Sequence, residues 1–531
     1  MTWSPSQSQG AESMKIRWEL VPYTRGRGLD LGCGPWKPFS HFIGVDNNVD
    51  ERLFGIRATA ADLIIPNCSN LDIFSNDSMD FVFSSHLLEH IQDYESALRE
   101  WWRVIKPGGR LCLYLPHKEF YPNIGTPMSN PDHKHDFMPD DIIETMKKVS
   151  GAWDLIENQD RNDDDEYSFF QVYLKLESKD VGHNQSWKRP KPEKSCAVIR
   201  YGAYGDVLQT ASVLPHLKAE GYHITFFCTP RGYEALEHDP NIDRFILQDD
   251  DQVPVGELAA FCIYWEKKFT RFLNFCEAVE GFLLPAHDRP HFFWNKESRH
   301  QICDHNYVEL QHKMAQVPYD RPLTKFYRTP KEAEWAKWER RKAEGPVVVW
   351  ALSGSSAHKV WIYVDQIIAE IMLKYPKVTV VLVGSAHEKF CEAGWQNEKR
   401  VWCRSGEWSI RRALSFAQEA DLVIGPETGV LNAMAMEPMA KIIFMSHSTI
   451  KNLCRDWINT AAFAAEHVSC YPCHRLHQKG WTYCNRHPDG GAACQVAITP
   501  DMVWPAVEFV LNQTSKQNRL VIPQPQETQY A

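Results

Sequence analysis

Short apolar runs alternate with longer amphipathic stretches along most of the chain. Residues 80–85 (DFVFSS) and 111–115 are compact apolar runs, which are typical of buried strands. Between them, residues 95–105 place Leu98, Trp102 and Ile105 at helical spacing, and the proline and glycine pair of residues 106–110 (KPGGR) predict a turn. Strands that alternate with helices through short connections predict an α/β fold with a parallel sheet.

This alternation stops once and then begins again. Residues 179–195 are polar and contain two prolines, and this composition predicts an extended linker. A new strand pattern starts at Cys196, and a further one starts near Pro346. The predicted organisation is therefore a domain at 1–178, a linker at 179–195, two further α/β halves at 196–340 and 341–512, and a disordered polar tail at 513–531.

Composition narrows the class of protein. The chain has 531 residues, 44% of them hydrophobic, and a net charge of −10, which argues against a general nucleic-acid binder. It has no apolar run of 18 residues, so no membrane span is expected. The N-terminus has no signal-peptide pattern, and most of the fifteen cysteines are isolated, so a cytoplasmic location with reduced thiols is expected.

The first glycine turn carries the clearest candidate chemistry. Residues 28–46 read as strand, turn with Gly32 and Gly34, second strand, and then Asp46. Glycines let the backbone approach a ligand, and an acid at the end of the second strand can accept bonds from ribose hydroxyls. Lys37 stands where a dinucleotide fingerprint has its third glycine, so the turn suits a nucleoside without a diphosphate.

This segment resembles the first motif of class I, type 11-like methyltransferases. The resemblance implies a Rossmann-like domain that binds S-adenosylmethionine through Asp30, Gly32, Gly34 and Asp46, with Asp62 reading the adenine amino group. His86-Leu87-Leu88-Glu89-His90 also matches an H-x-x-E-H zinc pattern. A protease of the H-x-x-E-H type needs both histidines inside one long helix and a third ligand further on, whereas this motif abuts a strand end, so we reject the zinc interpretation. The wording S-x-x-L-E-H is common in type 11 methyltransferases, so we expect His86 to line the cofactor site, with Glu89 and His90 capping the next helix.

His135 is the candidate catalytic residue of this domain. It follows a loop rich in Pro and Asn, in a region that touches the acceptor in the family. A histidine that is neutral could take the acceptor proton during methyl transfer. A surface loop carrying two histidines is the alternative, and the sequence leaves both open.

A second glycine turn begins the other half of the chain. Strand residues 197–200 are followed by Gly202, Gly205 and Asp206, and then by a helix. This pattern resembles the opening of the heptosyltransferases, glycosyltransferase family 9, and implies a GT-B fold of two Rossmann-like halves. Asp206 then matches the base that takes a proton from the acceptor hydroxyl, whereas without the resemblance it would equally well cap the helix.

The last third contains two more segments similar to this family. The resemblance implies that Lys359 neutralises the donor diphosphate while Ser355 and Ser356 bond its oxygens. Residues 426–432 match a D-T-G-x-x-H motif at Thr428 and Gly429, and a turn that opens a helix there offers backbone N–H groups to a diphosphate. By this resemblance we expect Glu427, Thr428 and Gly429 to bind the nucleotide-sugar. The chain departs from the motif at Glu427, which stands for Asp, and at Asn432, which stands for His.

One group of cysteines is clustered. Cys470, Cys473, Cys484 and Cys494 give the ligand count of a tetrahedral zinc site within a loop-like segment. A structural zinc is the favoured interpretation, and disulfides or free thiols remain alternatives.

Taken together, the sequence predicts a bifunctional transferase. One domain transfers methyl groups from S-adenosylmethionine. The other transfers a sugar with inversion from a nucleotide-diphosphate donor, ADP-heptose-like by resemblance, to a glycan acceptor that both reactions share. No nucleic-acid partner is expected, and peripheral contact with a membrane-borne acceptor stays open. The alternatives are a non-catalytic glycan-binding or assembly protein and an enzyme that modifies nucleic-acid bases.

Overall fold

The computed structural model describes residues 11–47, 60–163, 165–177, 179–180, 182–250, 252–320, 324–477 and 484–514. The chain forms two compact units. Unit 1 comprises Met1–Glu193 and Leu247–Lys268, and unit 2 comprises Lys194–Ile246 and Phe269–Ala531. Of the predicted tail, residues 515–531 lie outside the described residues, and Gln513 and Thr514 end the last helix. No helix in the described ranges is long and apolar enough to cross a bilayer.

Unit 1 is built on one eight-stranded sheet in the order β3-β2-β1-β4-β5-β7-β6-β8. Strand β7 runs antiparallel to both of its neighbours, and the other pairings are parallel. The strands are β1 Gly28–Leu31, β2 Ile43–Asp46, β3 Leu63–Ile64, β4 Met79–Ser85, β5 Ile105–Pro116, β6 Trp153–Arg161, β7 Ser168–Lys175 and β8 His183–Asn184. The strand order reverses between β1 and β4, and ligands bind at such a reversal in open α/β sheets.

The two longest helices of unit 1 bury one apolar face each. Helix Tyr94–Val104 begins where the Asp93 side chain accepts a hydrogen bond from the Ser96 N–H, and it buries Leu98 and Trp101 against the sheet. Its last turn ends directly at β5. The other helices are Glu12–Lys15, Arg17–Leu20, Pro139–Val149 and Leu258–Glu266.

Two connections differ from the sequence prediction. Residues 106–110 were expected to form a turn, but they belong to β5, where an irregularity in the pairing absorbs the glycine pair and Gly108 has a φ of 81°. The predicted linker is ordered in part. Strand β8 pairs with β6, and Ser186 donates its backbone N–H to the Asp154 carboxylate at 2.9 Å.

Unit 2 contains two parallel α/β sheets, which confirms the predicted pair of Rossmann-like halves. The first has the order β11-β10-β9-β12, and the second has the order β15-β14-β13-β16-β17-β18. The strands are β9 Ser195–Ile199, β10 His223–Cys228, β11 Arg244–Leu247, β12 Arg271–Asn274, β13 Val347–Ala351, β14 Thr379–Val383, β15 Val401–Cys403, β16 Leu422–Pro426, β17 Ala440–Phe444 and β18 Thr460–Phe463. Strands β13, β14, β16 and β17 are buried along their whole length, as expected of a parallel sheet covered on both faces.

The helices of unit 2 cover these sheets. They are Tyr204–Ala211, Leu214–Ala219, Pro230–Leu236, Lys296–Cys303, Tyr307–Met314, Pro330–Arg340, Val364–Lys374, Ile410–Ala417, Gly429–Met434, Ile450–Leu453, Ala493–Val496 and Pro500–Thr514. Helices Tyr204–Ala211 and Gly429–Met434 come from different halves and pack against each other. Both follow a strand that ends in a glycine-containing turn, so this contact brings the two turns together.

Candidate active sites

The first glycine turn has the geometry that the sequence predicts. Gly32 and Gly34 have φ values of 71° and 52°, a region that residues with a Cβ rarely adopt. A Cβ at Gly32 would lie 2.9 Å from the Leu87 side chain, so only glycine lets the loop after β4 approach this turn. The Gly34 N–H donates to the Asp46 carboxylate at 2.9 Å and joins the ends of β1 and β2.

The other two acids of this site differ in environment. Asp30 is buried, and burial raises the pKa of its carboxyl well above the ordinary value. Asp62 accepts hydrogen bonds from Lys37 Nζ at 2.7 Å and from the Gly44 N–H at 2.8 Å. The bond from Lys37 is the main reason that the pKa of Asp62 is lowered. Lys37, which stands in the position of the third glycine, therefore binds Asp62, the acid that the resemblance predicts to contact the adenine amino group.

His86 lies at the end of β4 in a left-handed conformation, with a φ of 49°. Its Nε2 lies 2.8 Å from the Ser168 hydroxyl, and its ring packs against Tyr114 and Tyr167. Burial lowers its pKa well below the usual value, so the imidazole is neutral. Leu87, the next residue, contacts the Gly32 turn, which places His86 close to the predicted cofactor pocket.

Glu89 and His90 do not cap the following helix, because Asp93 has that role. Glu89 is fully buried instead, with three imidazoles around it. The sequence suggested a helix cap because Glu89 precedes helix Tyr94–Val104 by only a few residues. Burial of the carboxylate could not be read from the sequence.

His135 lies away from the glycine turn. Its Nε2 is 3.2 Å from the Gln92 carbonyl, and its ring stacks on Phe137. It lines a surface pocket together with Lys118, Asp136 and Thr145, and none of the described residues of the glycine turn lines that pocket. Its role as acceptor base stays a prediction.

In unit 2, Asp206 combines the two roles that the sequence left open. Its carboxylate accepts the Ala203 N–H at 2.8 Å, as a helix-capping group does, and lies 3.4 Å from Arg200 Nη2. Arg200 is buried and also holds Glu280 through two hydrogen bonds of 3.0 and 2.8 Å. Burial raises the pKa of Asp206, and the charge of Arg200 opposes that rise.

Lys359 faces Asp206 from the other half of unit 2. Each residue's charge affects the pKa of the other, and burial lowers the pKa of Lys359. Lys359 Nζ donates to the Glu427 carbonyl at 3.0 Å. A Cβ at Gly354 would lie 2.8 Å from the Lys359 side chain, so a larger residue at position 354 would clash with Lys359 in its present position.

The motif around residue 428 is part of a buried polar network. Thr428 is buried, and its hydroxyl accepts the Leu431 N–H at the start of helix Gly429–Met434. Asn432 accepts a hydrogen bond from Gln209 of the opposite half at 2.8 Å and donates to the Thr428 carbonyl at 2.9 Å. Asn432 thus bridges the two halves in the position where the family motif has a histidine. Ser356 is buried as well, whereas Ser355 is exposed.

Sequence reasoning missed the partners of Glu427. Its carboxylate accepts the Ser446 N–H at 2.9 Å and lies 3.0 Å from His447 Nε2. Burial acts to raise the pKa of Glu427, but the charges of His447 and Lys359 outweigh it and lower that pKa to about 2. The available signal was the polar triplet Ser446-His447-Ser448, which begins two residues after the end of the apolar strand β17.

The four clustered cysteines lie close enough for their thiols to affect one another's pKa, but no three of their sulfur atoms, all within the described residues, lie within 4.8 Å of one another. Each of Cys473, Cys484 and Cys494 has its pKa raised by burial first and then by neighbouring thiols of this group. Cys473 Sγ lies 3.7 Å from His477 Nε2, and Asn485 donates to Cys470 Sγ at 3.9 Å. All four cysteines are free thiols, so they offer the sulfur ligands that a tetrahedral metal site needs.

Comparison with known proteins separates the two regions. Residues 29–113 match a family model described as a methyltransferase domain, Methyltransf_11. The match contains the glycine turn, Asp46, Asp62 and the segment 86–90. It confirms the predicted methyltransferase resemblance of the N-terminal domain. No curated protein sequence matches the chain.

Glycosyltransferases are among the solved structures that are similar to the chain. Heptosyltransferase II of Escherichia coli is 14% identical, with a TM-score of 0.42, over 60% of this chain and 99% of that one. A family 9 glycosyltransferase from Veillonella parvula is 12% identical, with a TM-score of 0.43, over 61% and 99%. The iron-containing dodecameric glycosyltransferase TibC from enterotoxigenic E. coli is 12% identical, with a TM-score of 0.40, over 66% and 86%. The comparisons thus include transferases of both predicted kinds.

Proposed function

We propose that this chain is a bifunctional transferase that moves methyl groups in unit 1 and sugars in unit 2. For methyl transfer, the observation that carries the proposal is the Gly34–Asp46 hydrogen bond at the carboxyl edge of the sheet, within the matched methyltransferase domain. Asp46 would accept hydrogen bonds from the ribose hydroxyls of S-adenosylmethionine. Asp30 and His86 would line the same pocket, and Asp62 would face the adenine.

Methyl transfer requires little acid–base catalysis from the protein. The sulfonium of S-adenosylmethionine is already activated, so the protein's task is to hold the acceptor in line with the methyl group. The buried, neutral side chain of His86 and the aromatic rings beside it would exclude water there. His135 is our candidate for the group that receives the acceptor proton.

Sugar transfer is supported by the pairing of a base and a cation across two halves. We infer that Asp206 takes the proton of an acceptor hydroxyl as its oxygen attacks the anomeric carbon. Lys359, with Ser355, Ser356, Thr428 and Gly429, would hold the departing nucleoside diphosphate. Glu427 would support this site through Ser446 and His447 instead of contacting the sugar. An ADP-heptose-like donor and a glycan shared by both reactions complete the proposal.

We further propose that Cys470, Cys473, Cys484 and Cys494 bind a structural zinc ion. Four thiolates would complete the tetrahedral shell of such an ion. Zinc would fix the segment 470–494 at the edge of unit 2 without taking part in sugar transfer. Metal analysis of the purified chain, with Cys473→Ser as the comparison, tests this assignment.

The decisive experiment is to identify what the purified chain binds. Native mass spectrometry should detect S-adenosylmethionine and a nucleotide-diphosphate sugar retained by, or added back to, the full chain. Measured turnover of the sugar donor distinguishes an active enzyme from a glycan-binding protein whose nucleotide sites have no catalytic activity. A chain that binds neither ligand would contradict the proposal.

Asp46→Ala is the sharpest single variant for the methyltransferase site. It removes the acceptor of both ribose hydroxyls, and charged hydrogen bonds of this kind correspond to a loss of roughly 100-fold in affinity. Isothermal titration with S-adenosylmethionine measures this loss. Asp72→Ala, which removes an exposed acid of the same unit, is the matched control. An unchanged isotherm in Asp46→Ala would exclude the proposed pocket.

A further inference from the structure

A second cluster of chemistry-bearing side chains lies beside the proposed methyl-transfer site. It consists of Glu89, His90 and His133. One ligand atom from each, a carboxylate oxygen or a ring nitrogen, lies within 4.8 Å of the others. Glu89 Oε1 is 3.9 Å from His90 Nε2 and 3.9 Å from His133 Nε2.

The fold holds these three residues together through its backbone. Glu89 and His90 lie in a single helical turn, Leu88–His90, that follows β4. The Lys134 N–H donates to the Glu89 carbonyl at 2.7 Å and fixes the loop that carries His133. The rings of His90 and His133 then meet edge to face, with centroids 4.8 Å apart. Residues more than 40 positions apart in sequence are thereby aimed at one point.

The Glu89 carboxylate is the unusual member of this cluster. Its side chain is fully buried, and neither oxygen has a hydrogen-bond partner among the described residues. A buried carboxylate without a partner costs several kcal/mol, so natural proteins satisfy such groups or use them to bind an ion.

We propose that Glu89, His90 and His133 bind one divalent transition-metal ion. Two imidazoles and one carboxylate are the ligand set of His₂Glu zinc sites and of non-haem iron sites. Ligands bound tetrahedrally at about 2.1 Å from zinc are about 3.4 Å apart. The two Glu–His spacings of 3.9 Å would therefore shorten by about half an ångström around an ion, and the His–His spacing, which is at most 4.8 Å, would shorten by up to about 1.4 Å. This assignment differs from the zinc pattern H-x-x-E-H, because here Glu89 is a ligand and the distant His133 replaces His86.

His86 would then act as a support for the site. Its Nδ1 is 3.9 Å from Glu89 Oε1, while Ser168 holds its other ring nitrogen at 2.8 Å. Such outer groups orient the ligands of a metal. The site opens on the His90 side, where about a third of that side chain is exposed, compared with 4% for His133.

The open side suggests what the ion would bind. Three protein ligands leave a position for water or a substrate oxygen. If unit 1 is a methyltransferase, as proposed above, that position would take the hydroxyl oxygen of the methyl acceptor. This last step rests on the proposed function, but binding of the ion does not.

Cobalt titration of the metal-stripped full chain tests the site directly. Co²⁺ bound by nitrogen and oxygen ligands absorbs in the visible range without the thiolate charge-transfer band that a cysteine site adds. We expect one such sulfur-free ion per chain, and we expect Glu89→Gln and His90→Gln each to lose it. His90 is partly exposed, so its replacement is the variant least expected to disturb folding.

Two controls assign the ion to this cluster. His183→Gln removes an imidazole elsewhere in unit 1, and His300→Gln removes one from a separate His300–Asp304–His474 group in unit 2. Both should keep the sulfur-free ion. Retention of that ion in Glu89→Gln and His90→Gln, or its absence from the wild-type chain, would overturn the proposal.

Binding of S-adenosylmethionine separates this proposal from the proposed function. Glu89→Gln should still bind S-adenosylmethionine, and Asp46→Ala should still bind the sulfur-free Co²⁺. Loss of only the sulfur-free Co²⁺ in Glu89→Gln, with an unchanged circular dichroism spectrum, supports a metal site instead of a general folding defect.

Discussion

Asp206 shows how one side chain can cap a helix and still be available for catalysis. One carboxylate oxygen accepts the Ala203 N–H, and the other lies 3.4 Å from Arg200. About a third of the side chain remains exposed. Arg200 is itself held by Glu280, so the arginine cannot fully neutralise the aspartate.

Asp206→Asn should therefore separate chemistry from binding. The amide keeps the size of the side chain but cannot take a proton, and loss of a general base typically lowers kcat by about 100-fold to 10,000-fold. Donor binding through Lys359 should be unchanged. Sugar-transfer kinetics and donor titration measure the two effects, with the exposed Asp320→Asn as control. Full turnover in Asp206→Asn would exclude it as the base.

The pH profile of sugar transfer gives an independent prediction. A base acts only when deprotonated, and burial raises the pKa of Asp206 above its ordinary 3.8. The rate should thus rise with pH on an acidic limb that lies above the pKa of an exposed aspartate. Because Arg200, Glu280 and Lys359 all face this group, Arg200→Gln should move the limb to higher pH. Measured kcat/KM from acidic to neutral pH checks this, and a flat profile would contradict it.

Local motifs could be predicted at the residue scale, whereas their partners could not. Gly32, Gly34 and Asp46 were identified because a turn of this kind is encoded within about twenty consecutive residues. Ser446 and His447 contact Glu427 from the end of the next strand, and Gln209 contacts Asn432 across 223 positions. Such contacts depend on how the sheets pack, which spacing along the chain does not reveal.

At the scale of single elements, helix Pro330–Arg340 is anchored at its first turn. Thr329 accepts the Glu332 N–H, and the Glu332 carboxylate accepts the Thr329 N–H in return. The same carboxylate binds Arg411 through two hydrogen bonds of 2.6 and 2.7 Å. Burial acts to raise the pKa of Glu332, but Arg411 and the cap lower it from 4.5 to about 2.

Glu332→Gln should destabilise unit 2 in a pH-dependent way. A carboxyl whose pKa is lowered by folding stabilises the protein above pH 4.5, and that contribution is lost as the pH falls toward 2. The full shift corresponds to about 3 kcal/mol, and we expect about 2 kcal/mol after solvent screening of the partly exposed pair. Calorimetry at pH 7 and pH 4 measures the difference between variant and wild type. It should shrink at the lower pH, and an equal difference at both would contradict the ion-pair account.

Element boundaries were predicted less well than element types. The spacing of Leu98, Trp102 and Ile105 predicts a helix over 95–105, which is within one residue of the observed helix Tyr94–Val104, whereas its cap, Asp93, was not predicted. The glycine pair at 108–109 was read as a turn, yet β5 absorbs it as an irregularity next to β4. Gly109 packs directly on the β4 backbone, which is a tertiary reason for glycine and leaves no local signature.

At the scale of the whole molecule, the chain does not divide at a single point. It leaves unit 1 at Glu193, returns to it for Leu247–Lys268, and then completes unit 2. Within unit 1 the returning segment is tied by polar contacts. Asp249 pairs with Arg25 at 2.8 Å, and Gln252 donates to the Val21 carbonyl at 3.0 Å. The polar composition of residues 179–195 predicted a simple linker between two consecutive domains. The sequence of residues 247–268 has no feature that assigns this segment to unit 1, so its membership was not predicted.

Helix Leu258–Glu266 tests this assignment. Phe261 is fully buried within unit 1 and packs edge to face on Trp18, with ring centroids 5.9 Å apart. Phe261→Ala should cost about 3–5 kcal/mol through the lost transfer energy and the cavity left behind. Ile263→Ala, on the exposed side of the same helix, should change stability by less than about 0.5 kcal/mol.

Calorimetry of the full chain then shows which unit the helix stabilises. If the segment belongs to unit 1, Phe261→Ala should lower the temperature of the unit 1 unfolding transition. Glu332→Gln should leave that temperature unchanged, because Glu332 lies in unit 2. Lowering of the same transition by both variants would instead assign the helix to unit 2.

The assignment of residues 247–268 to unit 1 also predicts the behaviour of a truncated chain. A chain cut after residue 193 should give an N-terminal piece that lacks part of its own hydrophobic core. Adding the peptide 247–268 to that piece should raise its melting temperature, whereas the peptide carrying Phe261→Ala should not.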